Sequence, residues 1–151
     1  MHKIIISDTS CLIILTNIGE LDILQRLYGQ ITTTIDIATE YGETLPGWVE
    51  IVSVADSHKQ LLLEMQVDKG EASAIALALE TPDSTLILDD YKARKIARQL
   101  NLNFTGTIGV IIKARLQGII GSIKPVLAKM RNAGFRLSAE VELQALKEAG
   151  E

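Results

Sequence analysis

The sequence predicts an α/β protein built on a parallel sheet with helices on both faces, and three observations carry the prediction. Short apolar or β-branched runs alternate with longer segments of helical spacing. The runs at 3–7 (KIIIS) and 85–88 (TLIL) read as buried strands. The three prolines, Pro46, Pro82 and Pro125, fall at plausible element boundaries and interrupt none of these segments.

Taken in order, Lys3–Ser7 is the first strand, and Asp8-Thr9-Ser10 offers N-cap side chains for a helix through about Leu15. Leu21, Ile23, Leu24 and Leu27 give 20–28 a helical period, and β-branched 31–34 is a second strand. Asp36 is placed to cap the helix that carries Thr39 and Glu40. The alternating stretch 48–55 (WVEIVSVA) predicts a third strand, followed by helices over 57–66 and 70–80. The strand 85–88 ends at Asp89-Asp90, a helix spans 92–100, and 103–105 is a short strand. Gly106-Thr107-Ile108-Gly109 turns into a helix through Leu116, and helices over 120–132 and 138–149 follow. The stripe Ile108, Ile111, Ile112, Leu116 and Ile119–Ile120 is assigned to the core rather than to a dimer seam.

A chain of 151 residues fits one domain, taken as 1–151. Hydrophobic residues make up 47% and aromatic residues only 4%, so the core must be aliphatic. Charged residues at 23% exclude a disordered class. Cys11 is the only cysteine, which excludes an intrachain disulfide and a paired-cysteine metal site and fits a reducing compartment. The start, MHKIIISDTSCLIILTNI, has the look of a leader peptide, but Ser7, Asp8, Thr9 and Ser10 break the apolar run. No apolar run approaches the roughly 20 residues that cross a bilayer. The expectation is a soluble, cytoplasmic protein with no membrane partner.

The net charge of −4 conceals segregation. Residues 1–90 carry 4 Lys/Arg against 15 Asp/Glu, whereas 91–139 carry 10 basic residues and no acidic one. Such a block marks either a polyanion-binding surface or a set of helix faces paired with the acidic half. Its candidates for RNA contact are Lys92, Arg94, Lys95, Arg98, Lys113 and Arg115.

In a parallel sheet, functional groups gather beyond the carboxyl ends of the strands. Asp8 follows the first strand directly, and Asp89 and Asp90 follow the strand 85–88. Glu40 lies in the helix after the second strand, and Glu71 opens a later helix. Each acid also has a purely structural use: Asp8 and one of the Asp89–Asp90 pair as helix caps, Glu71 as a dipole-favoured charge, Glu40 as a solvated side chain. Together they point further. Two carboxylates about 5 Å apart repel by roughly 3 kcal/mol at an effective dielectric near 20. A cluster of them persists if a divalent cation neutralises it, and an oxygen-only ligand set suits Mg²⁺ or Mn²⁺. His2 and His58 have no ligand-like partners and are assigned to the surface. A metal cluster beside a basic segment suits a phosphodiester substrate.

The stretches IIISDTS, ITTTIDIATEYG, KGEASAIALALE and TLILDDYKARKIARQL, with FTGTIGVIIKARLQG after them, resemble a PIN domain over essentially the whole chain. The LDDYKAR stretch followed by GTIG is the most specific part of the match. The resemblance implies a three-layer α/β/α fold around a parallel sheet of about five strands and Mg²⁺- or Mn²⁺-dependent cleavage of RNA. It implies Asp8, Glu40, Glu71 and Asp90 as catalytic metal-binding acids, with Asp89 adjoining and hydroxyls from Ser10 and Thr107 near the metal. Many relatives are toxins of toxin–antitoxin pairs, often homodimers held by a small antitoxin protein.

Two alternatives stand beside the nuclease. A non-catalytic PIN-like module would use the basic helices to hold RNA or protein. An aspartate phosphoryl-transfer domain would use Asp8 as nucleophile, but haloacid-dehalogenase-like enzymes place a second Asp where this chain has Ser10.

Overall fold

Branched β-carbons crowd a helix and suit a pleated strand. The five strands of the computed structural model, which describes residues 3–151, are rich in them: Ile4–Ser7 (β1), Ile31–Thr34 (β2), Val49–Val52 (β3), Ser84–Ile87 (β4) and Asn103–Thr105 (β5). All pair in parallel, in the order β3-β2-β1-β4-β5. Parallel neighbours need crossover connections, and helices fill each one. These are Thr9–Asn17 (α1), Asp22–Tyr28 (α2), Ile35–Tyr41 (α3), Ser57–Glu64 (α4), Lys69–Leu79 (α5) and Tyr91–Gln99 (α6). Thr107–Leu116 (α7), Lys124–Asn132 (α8) and Ala139–Glu148 (α9) follow the last strand.

The fold is the expected three-layer α/β/α arrangement on a parallel sheet. Helix α1 packs on α3, α3 and α4 pack on α5, and α5 lies across β1, β2 and β4. Helix α2 packs on β2 and α7, and α7 packs on α9. The core is aliphatic: Ile6, Leu12, Leu15, Ile75, Leu86, Ile87 and Ile111 are fully buried. The order places β1 and β4 side by side although 76 residues separate their ends, Ser7 pairing with Ile87 and Ile4 with Ser84. The chain winds outward from β1 through β2 to β3 and then returns to the other side of β1. That reversal makes β1 and β4 the switch point of the sheet, beyond whose carboxyl ends functional groups gather in such folds.

Several boundaries differ from the sequence reading. The third strand ends at Val52, because its only neighbour is β2 and Thr34, the last residue of β2, pairs with Val52. Thr34, not Asp36, caps α3, its hydroxyl accepting from Ile37 N at 3.1 Å. Asp36 sits in the first turn, where it accepts from Gln60 Nε2 at 2.6 Å and pairs with Lys69 at 3.6 Å. Helix α8 begins at Lys124 rather than Ile120, with Pro125 in its first turn, where its missing N–H costs nothing. Ile111 and Ile112 are buried and Ile108, Ile119 and Ile120 pack against the core, but Leu116 is exposed. His58 is exposed, and His2 lies outside the described residues. Among the described residues no helix is long and apolar enough to cross a membrane.

Truncating a fully buried side chain of a central strand leaves a cavity that a parallel sheet closes poorly. Leu86→Ala is expected to lower unfolding free energy by about 2–5 kcal/mol, while Leu62→Ala, on the exposed side of α4, changes it by no more than about 0.5 kcal/mol. Urea denaturation of the two variants checks the contrast.

Candidate functional site

Asp8 is the residue at which β1 ends and α1 begins, and it does two jobs with one carboxylate. Its Oδ1 accepts from Cys11 N at 2.9 Å, which caps α1. Its Oδ2 accepts from Asp89 N at 3.1 Å across the switch point. The side chain is 2% exposed. Burial pushes its pKa up to about 7, Asp89 adds to the rise, and the two backbone N–H groups oppose it. Cys11 beneath is fully buried, and burial together with Asp8 pushes its thiol well up, so it is an inert core residue.

Asp89 is held as firmly. Its Oδ1 accepts from Thr107 N at 2.8 Å and its Oδ2 from the Thr107 hydroxyl at 2.5 Å. Leu88 N donates to Thr105 O at 2.8 Å, and Arg94 Nε donates to Leu88 O at 2.7 Å, which fixes the end of β4 on both sides. Gly106 leaves the space this pair uses: a Cβ there would lie 3.0 Å from Asp89 Oδ1 and would displace the end of the Arg94 side chain. Asp90 turns the other way and caps α6, accepting from Ala93 N at 2.9 Å. The adjoining acids thus divide the work, Asp89 facing Asp8 and Asp90 starting the helix.

Glu71 closes a capping box with Asp68: its N–H donates to Asp68 Oδ1 at 2.8 Å, and its own carboxylate accepts from Asp68 N at 3.4 Å. Burial raises its pKa to about 7, with Asp68, Asp90 and Glu40 adding to the rise. Glu71 also raises Asp8. These mutual effects tie all five predicted acids to one region of the sheet edge.

A hydroxyl ladder locks the helices that carry Glu40 and Glu71. Ser73 Oγ donates to Gly70 O at 2.7 Å, so the 2.6 Å bond between Thr34 and Ser73 has Thr34 as its donor. The α3 and α5 N-termini are thereby joined, and α3 presents Glu40 over Gly70. A Cβ on Gly70 would lie 3.3 Å from both Glu40 Oε1 and Thr9 Oγ1.

Thr9 is the site residue that sequence reasoning missed. Its hydroxyl is buried and is without a hydrogen-bond partner among the described residues. Leaving such a group unsatisfied costs about 1–3 kcal/mol. Its signal in the sequence was only a place in an Asp-Thr-Ser cap, where Ser10 drew attention instead. Ser10 is exposed and makes no hydrogen bond to a carboxylate among the described residues. Thr107 is fully buried and is bound to Asp89.

Of the basic candidates, Lys92, Arg94, Lys95 and Arg98 ride on α6, which starts at Asp90. Arg94 and Arg98 both stack on Phe104 at 5.4 Å. The other two are elsewhere: Lys113 lies over the Tyr28 ring, and Arg115 pairs with Glu151 at 3.7 Å. Lys129 pairs with Glu20 and Arg131 with Glu142, so part of the basic block is spent on the fold.

Whether a divalent cation suits these residues can be judged on their chemistry. Asp8, Glu40, Glu71, Asp89, Asp90, Thr9 and Thr107 offer only hard oxygen atoms, the set Mg²⁺ and Mn²⁺ prefer. None of the five carboxylates forms an ion pair among the described residues, and Lys69, two residues before Glu71, is held by Asp36. The unpartnered Thr9 hydroxyl and the Glu40 carboxylate both approach Gly70, where α1, α3 and α5 meet. Among the described residues no three His, Cys, Asp or Glu side chains stand in closed ligand geometry as placed. Asp8 and Asp89 are pinned by backbone donors and Glu71 by its capping box, while exposed Glu40 on α3 repels partly buried Glu71 on α5. The donor chemistry fits the ion.

The raised acids fix a pH dependence. With pKa values near 7 for Asp8 and Glu71 against ordinary values of 3.8 and 4.5, the folded chain binds more protons than the unfolded chain between those limits. Stability therefore falls as pH rises through that window and levels off above it. Buried Asp8 supplies most of the effect, because solvent screens Glu71. In chelator, the melting temperature is expected to be several degrees lower at pH 8 than at pH 5, and Asp8→Asn should flatten the slope.

A family model described as a PIN domain matches residues 4–151. No curated protein and no solved structure matches the chain.

Proposed function

The chain belongs to the PIN-domain family, whose members are generally nucleases that typically use divalent metals, and from that premise we propose that it is a Mg²⁺- or Mn²⁺-dependent endoribonuclease. The observation that carries this reading is the set of carboxylates at the β1–β4 switch point. Asp89 N donates to Asp8 Oδ2, Glu71 acts electrostatically on Asp8 while Asp90 and Glu40 act on Glu71, and none of the five forms an ion pair among the described residues. A domain stable by only about 5–15 kcal/mol does not keep such repulsion without a use for it.

Each residue has a role in that chemistry. A bound divalent ion would orient a water, lower its pKa and offset charge on the in-line phosphorane. Asp8 is the fixed ligand, since two backbone N–H groups hold its carboxylate in one orientation. Thr107 holds Asp89 beside it. Glu40 and Glu71 extend the acidic set from α3 and α5, and the Thr9 hydroxyl approaches Gly70 as Glu40 does. Asp90 sets the first turn of α6, and Lys92 and Lys95 on that helix bind flanking phosphates without reading sequence. Service as a toxin checked by a small antitoxin protein is one biological use of this activity and adds no requirement to the site.

With Mn²⁺ present, purified protein is expected to cleave single-stranded RNA, and Asp8→Asn should reduce the rate by at least about 100-fold, the order lost when a group stabilising transition-state charge is removed. Asp36→Asn, whose carboxylate is occupied by Gln60 and Lys69, should leave the rate nearly unchanged. Gel assays of end-labelled RNA over a metal series check both. Intact RNA after prolonged incubation with Mn²⁺ would contradict the proposal.

A further inference from the structure

The chain has six aromatic residues, and five of them (Tyr28, Tyr41, Trp48, Phe104 and Phe135) pack against the hydrophobic core. Tyr91 is 79% exposed, at the first position of α6, directly after Asp90. A lone exposed ring needs no explanation in itself, but its neighbours supply one. Ala93, Ile96 and Ala97 bury one side of α6 and hold the helix in place. Tyr91 and Lys95 stand four residues apart and so share a face, about 6 Å apart along the axis. Lys92 and Lys95 are exposed and form no ion pair among the described residues. Elsewhere in the basic block Arg115, Lys129 and Arg131 are taken up by Glu151, Glu20 and Glu142, and Arg94 and Arg98 by the Phe104 ring. The unengaged ring and two unengaged cations therefore occupy the same turn, at the edge of the acidic site.

An exposed ring flanked by free cations is the arrangement that holds single-stranded nucleic acid: bases stack on the aromatic face while lysines follow the backbone. We propose that Tyr91 is the base-stacking residue of the substrate site. It takes an unpaired base of single-stranded RNA on its ring, Lys92 and Lys95 hold the adjoining phosphates, and the phosphodiester next to that base is seated at the carboxylate edge. The identity of the substrate rests on the nuclease reading above, while the stacking itself does not. Duplex RNA is excluded, because its bases are already stacked and paired. The ring face carries the interaction, so the hydroxyl is dispensable.

The test uses a single-stranded RNA containing 2-aminopurine, whose fluorescence is quenched by stacking, titrated with full-length protein in EDTA so that binding is read without cleavage. Wild type and Tyr91→Phe are expected to bind and quench alike. Tyr91→Ala should lose the quench and weaken binding by about 5- to 100-fold, with a matching rise in KM and little change in kcat where Mn²⁺-dependent cleavage is measured. Circular dichroism verifies that the exposed substitution leaves the fold intact. The proposal is overturned if Tyr91→Ala binds and quenches like wild type, or if wild type does not bind single-stranded RNA, as for a ring that faces a protein partner instead. Tyr91-dependent stacking without cleavage by wild type would uphold this inference and sink the nuclease reading. Cleavage with unaltered KM in Tyr91→Ala would do the reverse.

Discussion

Carboxylates repel, yet the fold brings Asp8 and Asp89 together by donating to each of them from the backbone. Asp89 N reaches Asp8, Cys11 N reaches Asp8 from the other side, and Thr107 N reaches Asp89. Each donor belongs to a βα junction, where the orphan N–H groups of a helix start already face outward. The same bonds that cap α1 and seat α7 therefore set the spacing of the acids. The arrangement balances imperfectly, since burial leaves Asp8 with a pKa near 7, at the margin of ionisation in neutral solution.

The other contacts serve that edge. The order β3-β2-β1-β4-β5 puts the chain reversal between β1 and β4, so two residues far apart in sequence end on adjacent strands. Thr33 Oγ1 donates to Ser7 O at 3.0 Å and ties β2 to the end of β1 just before Asp8. The Thr34–Ser73–Gly70 ladder then fixes α3 against α5 and brings Glu40 over a glycine. On the far side, Arg94 spans Leu88 O and the Phe104 ring, so a residue expected to meet RNA is largely a brace for the end of β4. Glu71 is held at the start of α5 by its capping box with Asp68, and Glu40 is exposed on α3.

Much of this was legible in the sequence. Apolar runs ending in Asp8 and in Asp89-Asp90 identify two βα junctions, and a parallel sheet forces their acids onto one edge. The division between Asp89 and Asp90 was not legible, because both follow the strand and only the direction of the turn decides which faces Asp8. Thr9 and Gly70 were missed for a related reason: an unpartnered hydroxyl and a close approach are properties of three elements meeting, not of any local pattern. The alternation of 48–55 overstated β3, since a strand can extend no further than the neighbour it pairs with. The charge count of 91–139 likewise treated ten cations as equal, whereas folding pairs Arg115, Lys129 and Arg131 and leaves Lys92 and Lys95 free.

The central claim is that these acids share a divalent cation, and Mn²⁺ titration followed by calorimetry at pH 7.5 in two buffers of different ionisation enthalpy tests it most directly. The account predicts saturable binding that is lost in Asp8→Asn and accompanied by proton release, because groups with pKa values near 7 must give up protons to become ligands. Absence of binding by the wild type, or undiminished binding by Asp8→Asn, would contradict it.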